Sequence, residues 1–363
     1  MKLQEQNILF FTRTMGTGGT ENVVLQLCEI FKPIVKKIVV CSSGGVNVLE
    51  LQKIDIKHYT IPDIVNRSPK NFLLIQKQLN RIIRDEKISV IHTHHRMAAF
   101  HIQFLRRRNS IFLINTSHTA FYDKRVLTHI AYNRFNLIAC GEGVKKSLVD
   151  GLGFKEDQIR TIYNGVRVSS TVSFETIPEI AAAKSENKHV YAYIGRLSAE
   201  KGVDYLIRAV PLLYTHNTEC IIVGTGPEEN KIRNLAEQLR IEKNVIFLGY
   251  RKDTANIIAQ VDFLVQPSLQ EGLPLVPIEA FSLGKAVVGT DIDGISEIVT
   301  HMKNGILVPA ANEETLAEAI DYMCNNDLAE MEKSAFETYK KRYTFDAFAN
   351  NYISYYKSLK SNY

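Results

Sequence analysis

The residues best placed for chemistry lie between Gln266 and Gly305, where Glu271 and Glu279 stand eight positions apart. Gly272, Pro274 and Pro277 separate the two acids, so one unbroken helix cannot carry both. Pro277 suits the first position of a helix and Gly284 its end. The pattern predicts a short helix over IEAFSLG, with Glu279 in its first turn and Glu271 in the loop before it. A buried strand at DFLVQP precedes that loop, and a strand running into a helix N-terminus is where α/β proteins bind phosphate. Two carboxylates beside such a point suit sugar hydroxyls, which donate short, charge-assisted hydrogen bonds to them. Taken singly, Glu279 reads equally as a helix cap and Glu271 as a solvated loop acid.

A second group lies upstream. The run GRLSAEKG carries Arg196 and Lys201, five positions apart, on a loop leading into a helix; two cations there can clamp a diphosphate without a metal. Near the start, NILFF enters the loop TRTMGTGGTENVV, where Gly18 and Gly19 let backbone N–H groups approach an anion. ISVIHTHH presents His92, His94 and His95 at a strand end. On a strand His94 and His95 point to opposite faces, and no acid or cysteine lies nearby, which argues against a metal. FLINTSHT is a further strand, ending at His118. Gly224 and Gly226 have Glu229 where a third glycine would stand, so no dinucleotide fingerprint is present, which disfavours a dehydrogenase.

These motifs together resemble the retaining glycosyltransferases of family 4, which have the GT-B fold. The E-x7-E spacing is met by Glu271 and Glu279, followed by GKAVVGTDIDGISEIV and NGILVP; GR…EKG and the NG[VI] turn at Asn164-Gly165-Val166 also match. Arg167 stands where the family usually has Asp. The resemblance covers essentially the whole chain. It implies that Glu271 meets the donor sugar's hydroxyls and Glu279 the nucleotide ribose. It implies further that Arg196, Lys201 and the backbone at Gly272 and Leu273 hold the diphosphate, with the Gly18-Gly19 loop facing it across a cleft. On the same resemblance Tyr250 and Arg251 would border the base, and His118 would reach sugar and phosphate. His92, His94 and Arg96 would line the acceptor side.

The elements that must position these residues follow from alternating strand and helix patterns in both halves of the chain. With 363 residues the chain fits two domains of ordinary size. We expect an acceptor-side Rossmann-like domain over 1–168, a linker over 169–187 and a nucleotide-sugar-binding domain over 188–343. A C-terminal helix over 344–363 then returns to the first domain. The linker expectation rests on VSSTVSFETIPEIAAAKSENK, which loses periodicity. Residues 1–168 carry 25 Lys+Arg against 13 Asp+Glu, a net +12, and the remainder 19 against 26, a net −7. Such asymmetry points to different partners for the two halves. No apolar run reaches a membrane span, the first residues are too polar for a signal peptide, and five scattered cysteines without CxxC fit a reducing compartment.

The expectation is therefore an α/β chain of GT-B architecture, two doubly wound domains facing each other across a cleft. It would transfer a sugar from a nucleotide-sugar donor to an acceptor hydroxyl with retention, in bacterial capsule, exopolysaccharide or other cell-surface glycan assembly. No cofactor or metal is expected, and no nucleic acid partner, since no recognition motif accompanies the basic charge. The acceptor would be a lipid-linked or soluble saccharide, and the chain would be cytoplasmic. Lys36-Lys37, Arg106-Arg107-Arg108 and Lys124-Arg125 could hold it to an anionic inner membrane face. The competing readings are a GT-B sugar-nucleotide epimerase and a non-enzymatic sugar-nucleotide-binding partner.

Overall fold

Continuous apolar runs such as ILFF in NILFF and CIIV in TECIIV have no polar face to offer water, so they form strands covered on both sides. The computed structural model describes residues 1–105, 111–120, 124–167 and 175–359. Two compact units emerge. One joins Met1–Asn164 to Asp346–Tyr363, and the other is Gly165–Phe345.

The first unit is a seven-stranded parallel sheet. Its strands are β1 (Asn7–Phe11), β2 (Lys37–Ser42), β3 (Lys57–Thr60), β4 (Val90–Thr93), β5 (Phe112–Ser117), β6 (Asn136–Ala139) and β7 (Ile159–Thr161). They lie in the order β3-β2-β1-β4-β5-β6-β7. The order reverses between β1 and β4, so the loops after these strands diverge and leave a crevice at their carboxyl ends. Helices α1 (Gly19–Phe31), α2 (Val48–Lys53), α3 (Pro69–Asp85), α4 (Arg96–Ile102), α5 (Arg125–Tyr132) and α6 (Glu142–Lys146) connect them. In α3, Ser68 caps the first turn by accepting from the Asn71 amide and Pro69 starts the helix. Ile75, Leu79, Ile82 and Ile83 form its buried stripe.

The second unit repeats the plan with β8 (His189–Ile194), β9 (Thr218–Val223), β10 (Val245–Gly249), β11 (Phe263–Gln266), β12 (Val287–Thr290) and β13 (Gly305–Val308). The order is β10-β9-β8-β11-β12-β13, all parallel, with the reversal between β8 and β11. Its helices are α7 (Pro178–Ser185), α8 (Val203–Ala209), α9 (Glu229–Gln238), α10 (Thr254–Gln260), α11 (Leu275–Ser282), α12 (Glu313–Asn325) and α13 (Ala329–Arg342). The segment expected as a linker thus contains α7, whose Ile180 and Ala183 are buried.

The last helix, α14 (Phe345–Ser358), packs on the first sheet. Phe348, Tyr352 and Tyr356 recur at i, i+4, i+8 and are fully buried; Tyr356 meets Phe31 at 4.4 Å between ring centroids. Burying each such ring stabilises the unit by about 1.5–3 kcal/mol. Where the chain enters and leaves the second unit, Val166 N–H donates to Tyr343 and Phe345 N–H donates to Val166. Arg167, the departure from the family turn, lays its guanidinium 4.1 Å over the Phe345 ring. All five cysteines are free and buried. Among the described residues no helix is long and apolar enough to cross a membrane.

Candidate active site

In the second unit, the loops after β8 and β11 both leave the sheet at the reversal, and they are bound together. Gly202 has φ +62°, open to glycine, and a Cβ there would stand 2.1 Å from the Pro267 carbonyl oxygen. Glu200 accepts from the amides of Leu269 and Gln270 at 2.8 and 3.3 Å. The loop after β9 is held just as closely, since a Cβ on Gly224 would meet the Gly195 carbonyl oxygen at 1.9 Å and one on Gly226 that of Leu197 at 2.1 Å. The glycines that fail as a dinucleotide fingerprint therefore serve backbone packing beneath the GRLSAEKG loop.

This packing brings Lys201 onto Glu271. Lys201 Nζ lies 2.7 and 2.8 Å from the two carboxylate oxygens. Ser268 Oγ donates to the same carboxylate at 2.8 Å, and Gln266 Nε2 at 3.3 Å. The Glu271 side chain is 8% exposed and that of Lys201 is 23% exposed. Glu271 is thus a buried, oriented acid and not a solvated loop residue. Arg196 is exposed and makes no ion pair among the described residues; only its carbonyl is used, accepting from Tyr193 Oη at 2.9 Å. Sequence reasoning missed Ser268 and Gln266. Their spacing of three and five from Glu271 signals nothing until the loop curls back.

The helix carrying Glu279 starts two residues before its expected position. Pro274 is the N-cap and α11 opens at Leu275, so Pro277 is its third residue and Glu279 lies beyond the first turn. Proline is tolerated there because the first N–H groups of a helix have no partner within it. Burial raises the Glu279 carboxyl pKa, with Thr254 Oγ1, which donates at 3.5 Å, pulling the other way. Thr254 opens α10, just past Tyr250 and Arg251, which places Glu279 beside that loop. Arg251 is engaged by Asp253 through Nε at 2.8 Å and Nη2 at 2.6 Å, which holds the Asp253 carboxyl down at about 2. Tyr250 is half exposed. Gly272 and Leu273 are buried; a Cβ on Gly294, at φ +90°, would meet the Gly272 carbonyl oxygen at 2.4 Å, so the GTDIDG turn braces the acid loop.

In the first unit the candidates gather after β1, β4 and β5. Gly18 is the N-cap of α1 and Gly19 its first residue; Glu21 crowds Gly18 and accepts from Thr14 Oγ1. Asn47 steadies this loop by donating from Nδ2 to the Gly16 carbonyl oxygen at 2.5 Å. His92 departs from its expected place on the acceptor side. It is 0% exposed, with Nδ1 2.8 Å from Tyr356 Oη and Nε2 2.8 Å from Thr116 Oγ1. β4 is buried on both faces and α14 covers it there, so His92 ties that helix to the core. β4 ends at Thr93, so His94 and His95 leave the strand and the opposite-faces expectation does not apply. His95 caps α4, its Nδ1 accepting from the Met97 amide at 3.1 Å. His94 turns toward His118, Nδ1 to Nε2 at 2.9 Å, and burial lowers the His118 imidazole to about 4. Arg96 opens α4 and donates from Nη1 to Thr128 Oγ1 at 3.0 Å. Among the described residues no group of three or more His, Cys, Asp or Glu side chains is arranged to hold a metal. The Arg106–Arg108 triplet lies outside the described residues.

A family model described as Glycosyl transferases group 1 matches residues 176–342, and one described as Glycosyltransferase Family 4 matches residues 17–170. The chain is 28% identical over 244 residues to an uncharacterized glycosyltransferase of Methanocaldococcus jannaschii, covering 62% of this chain and 60% of that protein. It is 24% identical over 262 residues to the Escherichia coli UDP-Gal:alpha-D-GlcNAc-diphosphoundecaprenol alpha-1,3-galactosyltransferase, covering 67% and 68%. Among solved structures, Anabaena HepE in complex with UDP-glucose superposes with a TM-score of 0.85 at 21% identity, over 98% of this chain and all of that one.

Proposed function

We propose that this chain, a glycosyltransferase of GT-B fold, moves a sugar from a nucleotide-sugar donor to an acceptor hydroxyl and retains the sugar's anomeric configuration. The observation that carries the reading is the Lys201–Glu271 pair at the strand-order reversal of the second unit, with Arg196 exposed on the same loop as Lys201. An acid that orients a sugar and cations that receive its leaving diphosphate belong together in such a reaction. Glu279, beside the Tyr250-Arg251 loop, suits the nucleotide's ribose. Gly18, Gly19 and His118 enter as donor contacts on the family resemblance, and Arg96 as an acceptor-side residue; His94, 3% exposed and turned onto His118, does not line that side.

In the proposed step the acceptor oxygen bonds to the anomeric carbon while the bond to the diphosphate oxygen breaks. The electron pair leaves on the phosphate, which takes the acceptor's proton. Arg196, Lys201 and the backbone at Gly272 and Leu273 stabilise that charge. A carboxylate nucleophile, as retaining hydrolases use, is disfavoured because Glu271 is already occupied by Lys201, Ser268 and Gln266. We therefore assign no nucleophile, and no metal or cofactor.

A uridine donor is the first choice, since HepE was solved with UDP-glucose and the E. coli relative is named for UDP-Gal. The same relative's name specifies a diphosphoundecaprenol acceptor, which supports a lipid-linked saccharide and a role in cell-surface glycan assembly such as capsule or exopolysaccharide. The outer face of α3 suits work at the inner face of the plasma membrane. Leu73 is 67% and Leu74 42% exposed, beside exposed Lys70 and Lys77. A thermal-shift screen of UDP-, GDP- and ADP-sugars identifies the donor by mass action, and NMR of the product's anomeric centre reads its configuration. A uridine sugar should stabilise the protein and give a retained anomer. Inversion would overturn the stereochemical assignment.

A further inference from the structure

We infer that His94 is a positioning residue: through Nδ1 it fixes the tautomer of His118, so that His118 meets its ligand with a protonated Nδ1. The ligand would be an oxygen acceptor, a phosphate or a sugar hydroxyl. This rests on the functional reading only in taking His118 as a donor contact; the tautomer assignment uses the first unit alone.

His94 and His118 follow the neighbouring strands β4 and β5, and their rings stack with centroids 5.3 Å apart and planes 22° apart. His94 is 3% exposed and walled by the His92 ring at 4.2 Å and the Phe10 ring at 5.9 Å. Its Nδ1 lies 2.9 Å from His118 Nε2, and its Nε2 is buried with no hydrogen-bond partner. His92 cannot supply one, because both its nitrogens are taken by Tyr356 and Thr116.

A neutral imidazole has one N–H and one lone pair, and burial lowers the pKa of both rings, which keeps them neutral. One proton must lie between His94 Nδ1 and His118 Nε2, and only two arrangements exist. If His118 donated, the His94 proton would sit on Nε2, a buried N–H with no acceptor. If His94 donates, only a lone pair is left unmet. Orphaned buried N–H groups are the rarer of the two in folded proteins. The second arrangement therefore holds, and it leaves the His118 proton on Nδ1. That nitrogen has no hydrogen-bond partner among the described residues, so it is available to a ligand. His118 then acts there as a hydrogen-bond donor and cannot accept a proton at Nδ1.

The test is long-range proton–nitrogen NMR on the full chain labelled with ¹⁵N-histidine, which distinguishes a bare from a protonated ring nitrogen. His118 should show bare Nε2 and protonated Nδ1, and its Nδ1 signal should move when nucleotide-sugar is added. H94L should leave His118 in a mixture of tautomers and raise the KM for donor about tenfold, the scale of one hydrogen bond. H94N, which keeps an N–H near the Nδ1 position, should restore both. A parent spectrum with His118 protonated on Nε2 overturns the inference, and so does H94L with the tautomer unchanged. The parent spectrum alone decides if H94L fails to fold. A correct tautomer whose signals ignore nucleotide-sugar would instead refute His118 as a donor contact.

Discussion

Replacing Lys201 by methionine keeps the aliphatic stem and removes the charge that holds Glu271. Breaking a buried pair commonly costs about 3–5 kcal/mol, because the remaining charge stays in low dielectric. Ser268 and Gln266 still donate to Glu271, and the lysine side chain is 23% exposed. The lower end, about 3 kcal/mol, therefore applies. The pair lies wholly within Gly165–Phe345, and for a domain of that size each kcal/mol moves the midpoint by about 2–4 °C. K201M should thus lower that unit's melting midpoint by about 6–12 °C. Adding Glu271→Gln removes the stranded charge and should restore most of the loss. Transfer should not return with stability. A deficit of about 10²–10³-fold should persist in both variants, because a leaving diphosphate has lost a cation. Circular dichroism melts and a radiolabelled transfer assay, run on the same preparations, separate the two effects. A K201M protein as stable as its parent would refute the pairing. A double variant that regains transfer would remove Lys201 from leaving-group stabilisation.

The two acids should separate by assay. Glu271→Gln should lower turnover while calorimetry still shows nucleoside diphosphate binding, whereas Glu279→Gln should weaken that binding; equal losses of affinity would refute the division. Transfer should survive EDTA, and abolition by chelator with rescue by Mn²⁺ or Mg²⁺ would overturn the metal-free proposal. Vesicle sedimentation tests the membrane proposal: binding should need anionic lipid, fade by roughly 0.5 M salt, and weaken in a Leu73→Ser, Lys77→Ser variant. Glu86 bears on acid stability. Lys57 at 2.7 Å, with Tyr59 and Lys37, holds its carboxyl at about 2, below the ordinary glutamate value of 4.5. A depressed pKa contributes stability above the unfolded value that is lost as pH falls through the folded one. The first unit's midpoint should therefore drop between about pH 4.5 and 2, and less steeply in Glu86→Gln.

The two sheets were legible because parallel strands are apolar on both faces and their loops are marked by glycine. The spacing of Glu271 and Glu279 and the GRLSAEKG run were legible because each is contiguous. What stayed hidden is long-range. Lys201 and Glu271 are seventy positions apart, and the close approach of Gly202 to Pro267, with the Glu200 carbonyl accepting from Leu269 and Gln270, joins them. His92 and His94 look alike in sequence, but His92 is claimed by a helix more than 250 positions away. The start of α11 was misread because Pro277 suits a helix's first residue, yet a third residue needs its N–H no more than a first.

The closing helix also dictates an order of maturation. Residues 345–358 are synthesised after the whole of the second unit, yet they cover Phe31 and satisfy His92 in the first. On a ribosome adding roughly 5–20 residues per second, the first sheet waits about 10–40 s after its own last strand before that cover arrives. During this interval the unit that began first remains unfinished while the later one can already close. A nascent chain paused before Phe345 should therefore display a greasy, half-built surface to chaperones, and premature termination there should yield one folded body and one that aggregates.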